Sequence, residues 1–219
     1  MYQDQKNQCS PVFIAVEGPI GVGKSSLARY ISEHYQFHLL NEIVEDNPFL
    51  SLFYENMEEW SLQTEMFFLF HRIKQLEDLN QTILSQGKRA VADYHIFKNR
   101  IFAQSTLQAK QYEKYDQVYQ ILTSDLPQPN LIIYLHASVD TLLRRISQRG
   151  RSFEQDIDPQ YLIALCSRYE LFMEQFQREH PETTVLHFNG DALDFVSRKE
   201  DLCLIIEQLD KALNLELKR

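Results

Sequence analysis

Cysteine is scarce in this chain and forms no motif. Its three cysteines, Cys9, Cys166 and Cys203, are odd in number and far apart, with no C-x-x-C pair. No disulfide framework follows from them, and reduced thiols in an intracellular, cytoplasmic protein are expected. Basic residues are few: 22 Lys and Arg stand against 31 Asp and Glu, a net charge of −9. That sign disfavours nonspecific nucleic-acid binding, which needs cations along the phosphates. No apolar run nears the roughly 18 residues of a membrane span, and polar residues 1–10 lack the apolar segment of a secretory leader. The seven histidines show no metal-ligand spacing. Repeats, low-complexity segments and linkers are missing too.

What remains is an ordinary globular composition, 44% hydrophobic over 219 residues. That suits one α/β domain spanning 1–219. Apolar runs at 12–16, 38–40, 90–93, 130–135 and 185–188 alternate with helical patterns. Such alternation predicts βαβ units and a parallel five-stranded sheet flanked by helices. Residues 49–84 carry helical spacing at Leu69, Ile73, Leu76 and Ile83, too long for one ordinary helix. Two helices are expected there, with apolar surface for a second subunit.

The chemistry enters at Gly18, Pro19, Ile20, Gly21, Val22, Gly23, Lys24 and Ser25, the pattern G-x-x-x-x-G-K-[ST]. An apolar strand precedes it and a helix from Ser26 follows. Glycines let successive N–H groups turn toward a β-phosphate, and the helix N-terminus adds partial positive charge. Lys24 suits the β- and γ-phosphates of ATP, and the Ser25 hydroxyl suits Mg²⁺. GTPases read guanine through N-K-x-D, which this chain lacks; motor ATPases end a long apolar strand in Asp, where this chain has His136. A small kinase needs a carboxylate for the acceptor proton, another for the metal, and mobile cations over the transferring phosphate. Glu42 and Asp93 end the second and third strands, where a parallel sheet presents its ligand crevice. Arg144, Arg145, Arg149 and Arg151 form a candidate lid, although arginines also suit helix C-termini through the dipole alone. From position alone, Glu42 equally fits a solvated strand-end charge.

Five ordered segments make the reading specific: 17–26, 41–49 (NEIVEDNPF), 53–60, 92–99 (ADYHIFKN) and 145–151 (RISQRGR). With them the chain resembles the deoxyribonucleoside kinases, and among those most the bacterial deoxyguanosine kinases. The resemblance implies a P-loop kinase fold with an Arg-rich lid, a homodimer, and no nucleic-acid or membrane partner. It implies transfer of phosphate from ATP, with Mg²⁺, to the 5′-hydroxyl of a purine deoxyribonucleoside in nucleotide salvage. Deoxyguanosine is the expected substrate; deoxyadenosine or a broad range is the alternative. A nucleoside monophosphate kinase and a non-catalytic nucleotide-binding module are more distant ones.

The same resemblance implies residue roles. Glu42 matches the general base, with Lys24, Arg149 and Arg151 as the other catalytic groups. Tyr54 and Glu154 match the pair that holds the sugar 3′-hydroxyl. Trp60 matches the cleft wall, Glu65 and Arg72 match base contacts, and Phe102 matches a ring stacked on the base. Arg145, Arg149 and Arg151 match the lid, and the loop 189–195, with Asp191 and Leu193, matches the adenine contact. Ser25 and Asp93 match the metal-associated groups. Aromatic spacing alone would place Trp60, Phe67, Phe68 and Phe102 in plain core, and Glu65–Arg72 could be a surface pair on one helix. The family's arginine after the third strand is missing: Asp93 is followed by Tyr94 and His95. Lys98 or Arg100 is a possible substitute.

Overall fold

The computed structural model describes residues 11–44, 46–154 and 157–216. Cys9, the polar segment 1–10 and Glu45 of the 41–49 motif lie outside the described residues.

Five strands, β1 (Phe13–Glu17), β2 (His38–Leu40), β3 (Ala90–Ala92), β4 (Leu131–His136) and β5 (Thr184–Asn189), form one sheet. Its order is β2-β3-β1-β4-β5, and every pairing is parallel. All five expected strands exist, displaced by a residue or so at their ends. Each β1 residue is buried, as a central strand covered on both faces requires. Asp93 lies just past β3 rather than in it.

The described helices are α1 (Lys24–Tyr35), α2 (Leu50–Glu55), α3 (Met57–Thr82), α4 (Lys98–Thr106), α5 (Ala109–Thr123), α6 (Val139–Arg149), α7 (Pro159–Glu179) and α8 (Lys199–Glu216). The expected split of 49–84 falls at Asn56, whose extended backbone (φ −147°) separates α2 from α3 and whose side chain accepts from the Glu59 N–H. Asn is favoured at such an N-cap because its oxygen satisfies an orphan N–H. Helix α6 is capped by Ser138 and stopped by Gly150 at φ +71°. Pro159 opens α7 behind the Asp158 cap, a position where a missing N–H costs nothing.

The sheet is sandwiched. On one face Ile14, Val16 and Ile133 pack with Leu27 and Ile31 of α1 and with Ile205 and Leu209 of α8. On the other, Ala15 and Ile132 meet Ile101 of α4 and Leu162 and Tyr169 of α7. A third cluster joins Leu69 and Leu76 of α3 to Tyr115 and Tyr119 of α5. Each such buried side chain contributes about 1.5–3 kcal/mol. The strands' carboxyl ends therefore open onto one rigid rim.

Candidate active site

A cavity of about 850 Å³ lies at that rim. Its floor is the loop between β1 and α1. Gly18, Gly21 and Gly23 there have φ of +145°, +82° and +106°, conformations that disfavour side chains. A Cβ on Gly18 would sit 2.1 Å from the Leu135 carbonyl oxygen, and one on Gly23 2.9 Å from the Phe195 ring. Lys24 Nζ donates to the carbonyls of Gly18 and Pro19, at 2.9 Å each. Burial, with Lys98 acting in the same direction, pushes the Lys24 amine down to about 7 against the pull of Glu42, Glu17 and Asp93.

Asp93 joins this loop to the strand beyond. One carboxylate oxygen accepts from Ser25 Oγ at 2.5 Å, and the other accepts from the Glu42 N–H at 2.6 Å. Burial, then the nearby Glu42 charge, raises its pKa. Among the described residues no three or more His, Cys, Asp or Glu side chains converge on a metal position. A hydroxyl beside a carboxylate suits a hard cation that takes its other oxygens from phosphate and water, which is the way Mg²⁺ is held. The donor set fits Mg²⁺ on that condition.

Glu42 sits between two cations. Its Oε2 accepts from Lys98 Nζ at 2.6 Å; its Oε1 accepts from Arg72 Nε at 3.1 Å and also from Arg72 Nη2. Burial opposes the anion, but the Lys98 and Arg72 charges outweigh it and hold this carboxyl well below the usual range. The solvated strand-end alternative for Glu42 is thereby excluded, since its side chain is only 10% exposed. Of the two candidate substitutes for the missing arginine, Lys98 contacts Glu42, while Arg100 pairs instead with Asp116. Lys98 reaches the site because α4 begins there, immediately after the β3 loop.

Arg72, the expected base contact, lines the cavity and pairs with Glu42. Its remaining nitrogen, Nη1, donates to Asn99 Oδ1 at 2.7 Å, and Asn99 Nδ2 in turn donates to Tyr115 OH at 3.0 Å. A buried guanidinium goes to the nearest anion, and here that anion is Glu42. Glu65, one wall further along α3, is 2% exposed, so the surface-pair alternative fails. Its Oε1 accepts from Thr106 Oγ1 at 3.2 Å, whereas its Oε2 is buried without a partner, as is Thr64 Oγ1 beside it. Burial pushes the Glu65 carboxyl up to about 7, against Arg72, the Thr106 hydrogen bond and Lys98.

The lid arginines converge on Glu154. Arg149 Nη2 donates to Glu154 Oε2, and Arg151 Nη1 lies 3.6 Å from Glu154 Oε1. Tyr54 shares this wall, its ring stacked on Phe153. Arg145 bridges the Val22 and Gly190 carbonyls at 3.2 and 2.9 Å, tying the phosphate loop to the loop after β5. In that loop Asp191 accepts from the N–H and hydroxyl of Ser138.

The cavity wall thus gathers Gly21, Lys24, Ser25, Glu42, Tyr54, Glu65, Arg72, Asp93, Phe102, Arg145, Arg149, Arg151, Glu154 and Asp191. Gly18, Pro19, Trp60 and Leu193 are not part of it. Trp60 stacks on Phe49, 6.0 Å between ring centroids, and Leu193 packs against the core. Glu17, Thr106 and Asn99 are polar groups behind the cavity wall that sequence reasoning did not single out; Asn99 and Thr106 contact Arg72 and Glu65, and Glu17 accepts from the Gly18 N–H. Glu17 had a signal, a charge ending an apolar strand. It is fully buried, accepts from the His95 N–H at 2.5 Å, and is pushed up to about 7 chiefly by burial.

A phosphate loop under a parallel sheet, facing a buried carboxylate and an arginine lid, defines a P-loop phosphotransferase of small acceptors. The chain belongs to the deoxynucleoside kinase family, whose model matches residues 14–214. It is 55% identical to the deoxyguanosine kinase of Bacillus subtilis over 86% of this chain and 91% of that protein. It is 34% identical to the deoxyadenosine kinase of Lactobacillus acidophilus over 91% of this chain and 95% of that one. Among solved structures, M. mycoides deoxyadenosine kinase with dCMP and dCDP bound superposes with a TM-score of 0.80 at 25% identity, covering 91% of this chain and all of that one. Among the described residues no helix is long and apolar enough to cross a membrane.

Proposed function

We propose that this kinase transfers the γ-phosphate of ATP to the 5′-hydroxyl of a purine deoxyribonucleoside, with deoxyguanosine preferred. The observation that carries the reading is Glu42. A buried carboxylate, kept anionic by Lys98 and Arg72, shares one cavity with the phosphate loop. There it takes the proton of the attacking 5′-hydroxyl. Lys24 lies along the β- and γ-phosphates, whose negative charge stabilises its ammonium form. Ser25 and Asp93 would hold Mg²⁺, which would supply positive charge to offset the negative charge of the phosphates. Arg149 and Arg151 leave Glu154 for the transferring phosphoryl group, and the sugar 3′-hydroxyl takes their place on Glu154 beside Tyr54. Catalysis is then mainly positioning and electrostatic stabilisation.

Glu65 supports the guanine preference. Guanine presents N1–H and a 2-amino group side by side, and an acceptor-only carboxylate can take both. Phe102 offers a ring to the base. Asp191 and Leu193 belong to the loop that meets the adenine of ATP. The protein works in the cytoplasm as a homodimer; apolar surface such as Phe70 of α3, 52% exposed, supports the latter. Incubation with γ-labelled ATP and deoxyguanosine should put the label in deoxyguanosine monophosphate. Labelling only when a monophosphate is offered as acceptor would mean a monophosphate kinase. Glu42 disfavours that, since its carboxylate repels a phosphate dianion. No labelling would mean a binding module.

A further inference from the structure

Glu65 is a buried carboxyl without a fixed counter-ion. Each nitrogen of the neighbouring Arg72 guanidinium already donates elsewhere, two to Glu42 and one to Asn99. The Thr106 hydroxyl, at the end of α4, lies 3.2 Å from one Glu65 oxygen and 3.0 Å from the Phe102 carbonyl, which share its one hydrogen, and the other Glu65 oxygen has no partner. Around it stand Arg72 on the same helix, Lys98 of α4, Glu42 after β2, Tyr54 of α2, Tyr115 of α5 and Tyr161 of α7. The cations are engaged by Glu42, and the phenols stay neutral at ordinary pH.

We propose that the protonation state of Glu65 determines which purine the site accepts, the anion taking guanine and the neutral acid taking adenine. This rests on Glu65 facing the base. The chemistry is a matter of donors and acceptors. The anion has two acceptor oxygens for the two adjacent donors of guanine. The neutral acid has one O–H donor and one acceptor oxygen, the complement of adenine N1 and its 6-amino group. Each mismatch would bury an unpaired polar group, which sites reject strongly. Burial without a paired cation favours the neutral acid, so both forms are within reach near neutrality. Deoxyadenosine binding therefore takes up a proton on the alkaline side, and deoxyguanosine binding releases one on the acid side.

The test is the ratio of kcat/KM for deoxyguanosine to that for deoxyadenosine, measured from pH 6 to 8. Ionisations shared by both substrates, those of Lys24 and Glu17 among them, cancel in this ratio. Glu65 alone then makes it rise about tenfold per pH unit until the disfavoured form's residual activity limits it. Glu65→Gln should give a ratio that is flat with pH and shifted toward deoxyadenosine. Calorimetry of nucleoside binding to the unmodified enzyme, in two buffers of different ionisation enthalpy, should register the opposite proton exchanges and needs no variant. A flat wild-type ratio with no proton exchange, while Glu65→Gln still shifts preference, overturns the proposal and leaves Glu65 as base reader. A Glu65→Gln ratio equal to the wild type's at every pH overturns both.

Discussion

Replacing Glu42 by Gln should lower both turnover and stability, by separable routes. The change keeps the side chain's size and removes the negative charge between Lys98 and Arg72. The three side chains are 10%, 5% and 4% exposed, so neither cation can turn to solvent for compensation. Removing one partner of a buried ion pair costs about 3–5 kcal/mol. The Gln carbonyl still accepts one hydrogen bond, which argues for the lower end, about 3 kcal/mol. For a chain of this size that corresponds to a Tm lower by about 6–12 °C. Turnover should fall by roughly 10²–10⁴, because the attacking hydroxyl loses its proton acceptor. Adding Lys98→Met removes one of the stranded cations. The double variant should regain part of the lost Tm and none of the lost kcat. The pH dependence has a defined sign. Glu42's carboxyl is depressed in the folded state, so its stabilisation is present above the ordinary carboxylate range and is lost as pH falls below it. That acid-side contribution should vanish in Glu42→Gln. Thermal unfolding across pH and single-turnover kinetics measure both effects. Near-normal turnover would refute the assignment of the base. An unchanged Tm would refute the claim that the three charges are coupled.

Arg149→Ala should lower kcat more than it weakens deoxyguanosine binding, since the guanidinium is needed once it leaves Glu154 for the phosphoryl group. Equal kcat with only a lower Tm would return Arg149 to helix capping. Gly18→Ala should fail to give a stable, ATP-binding protein, because its Cβ would lie 2.1 Å from a backbone oxygen of β4. A soluble variant with normal ATP affinity would mean the loop can shift. Deoxyguanosine triphosphate should inhibit competitively against both substrates, its nucleoside in the acceptor pocket and its phosphates in the glycine loop. Noncompetitive inhibition against deoxyguanosine would exclude that pose.

The phosphate loop was legible before any coordinates because its chemistry is local. Gly18, Gly21, Gly23 and Lys24 act through backbone conformation and chain order, and both are written in consecutive residues. The parallel sheet was legible for a similar reason. A strand buried on both faces must be apolar throughout, and 12–16 and 131–135 are. Strand-end carboxylates were legible as positions, since topology alone puts Glu42 and Asp93 at the ligand rim. Trp60 shows the limit: aromatic spacing favoured plain core and the resemblance implied a cleft wall, and the ring stacks on Phe49 in the structure.

Sequence by itself determined the family, the βαβ order and most of the charged residues that line the cavity. It did not determine their pairing. Arg72 goes to Glu42 and Asn99, and Glu65 is left with Thr106 and a bare oxygen. The residues that decide this lie 30, 27 and 41 positions apart. Only packing of α3 against α4 and the β2 end brings them within hydrogen-bond distance. A buried charge is shared out according to distance and desolvation, and both are properties of the tertiary structure alone.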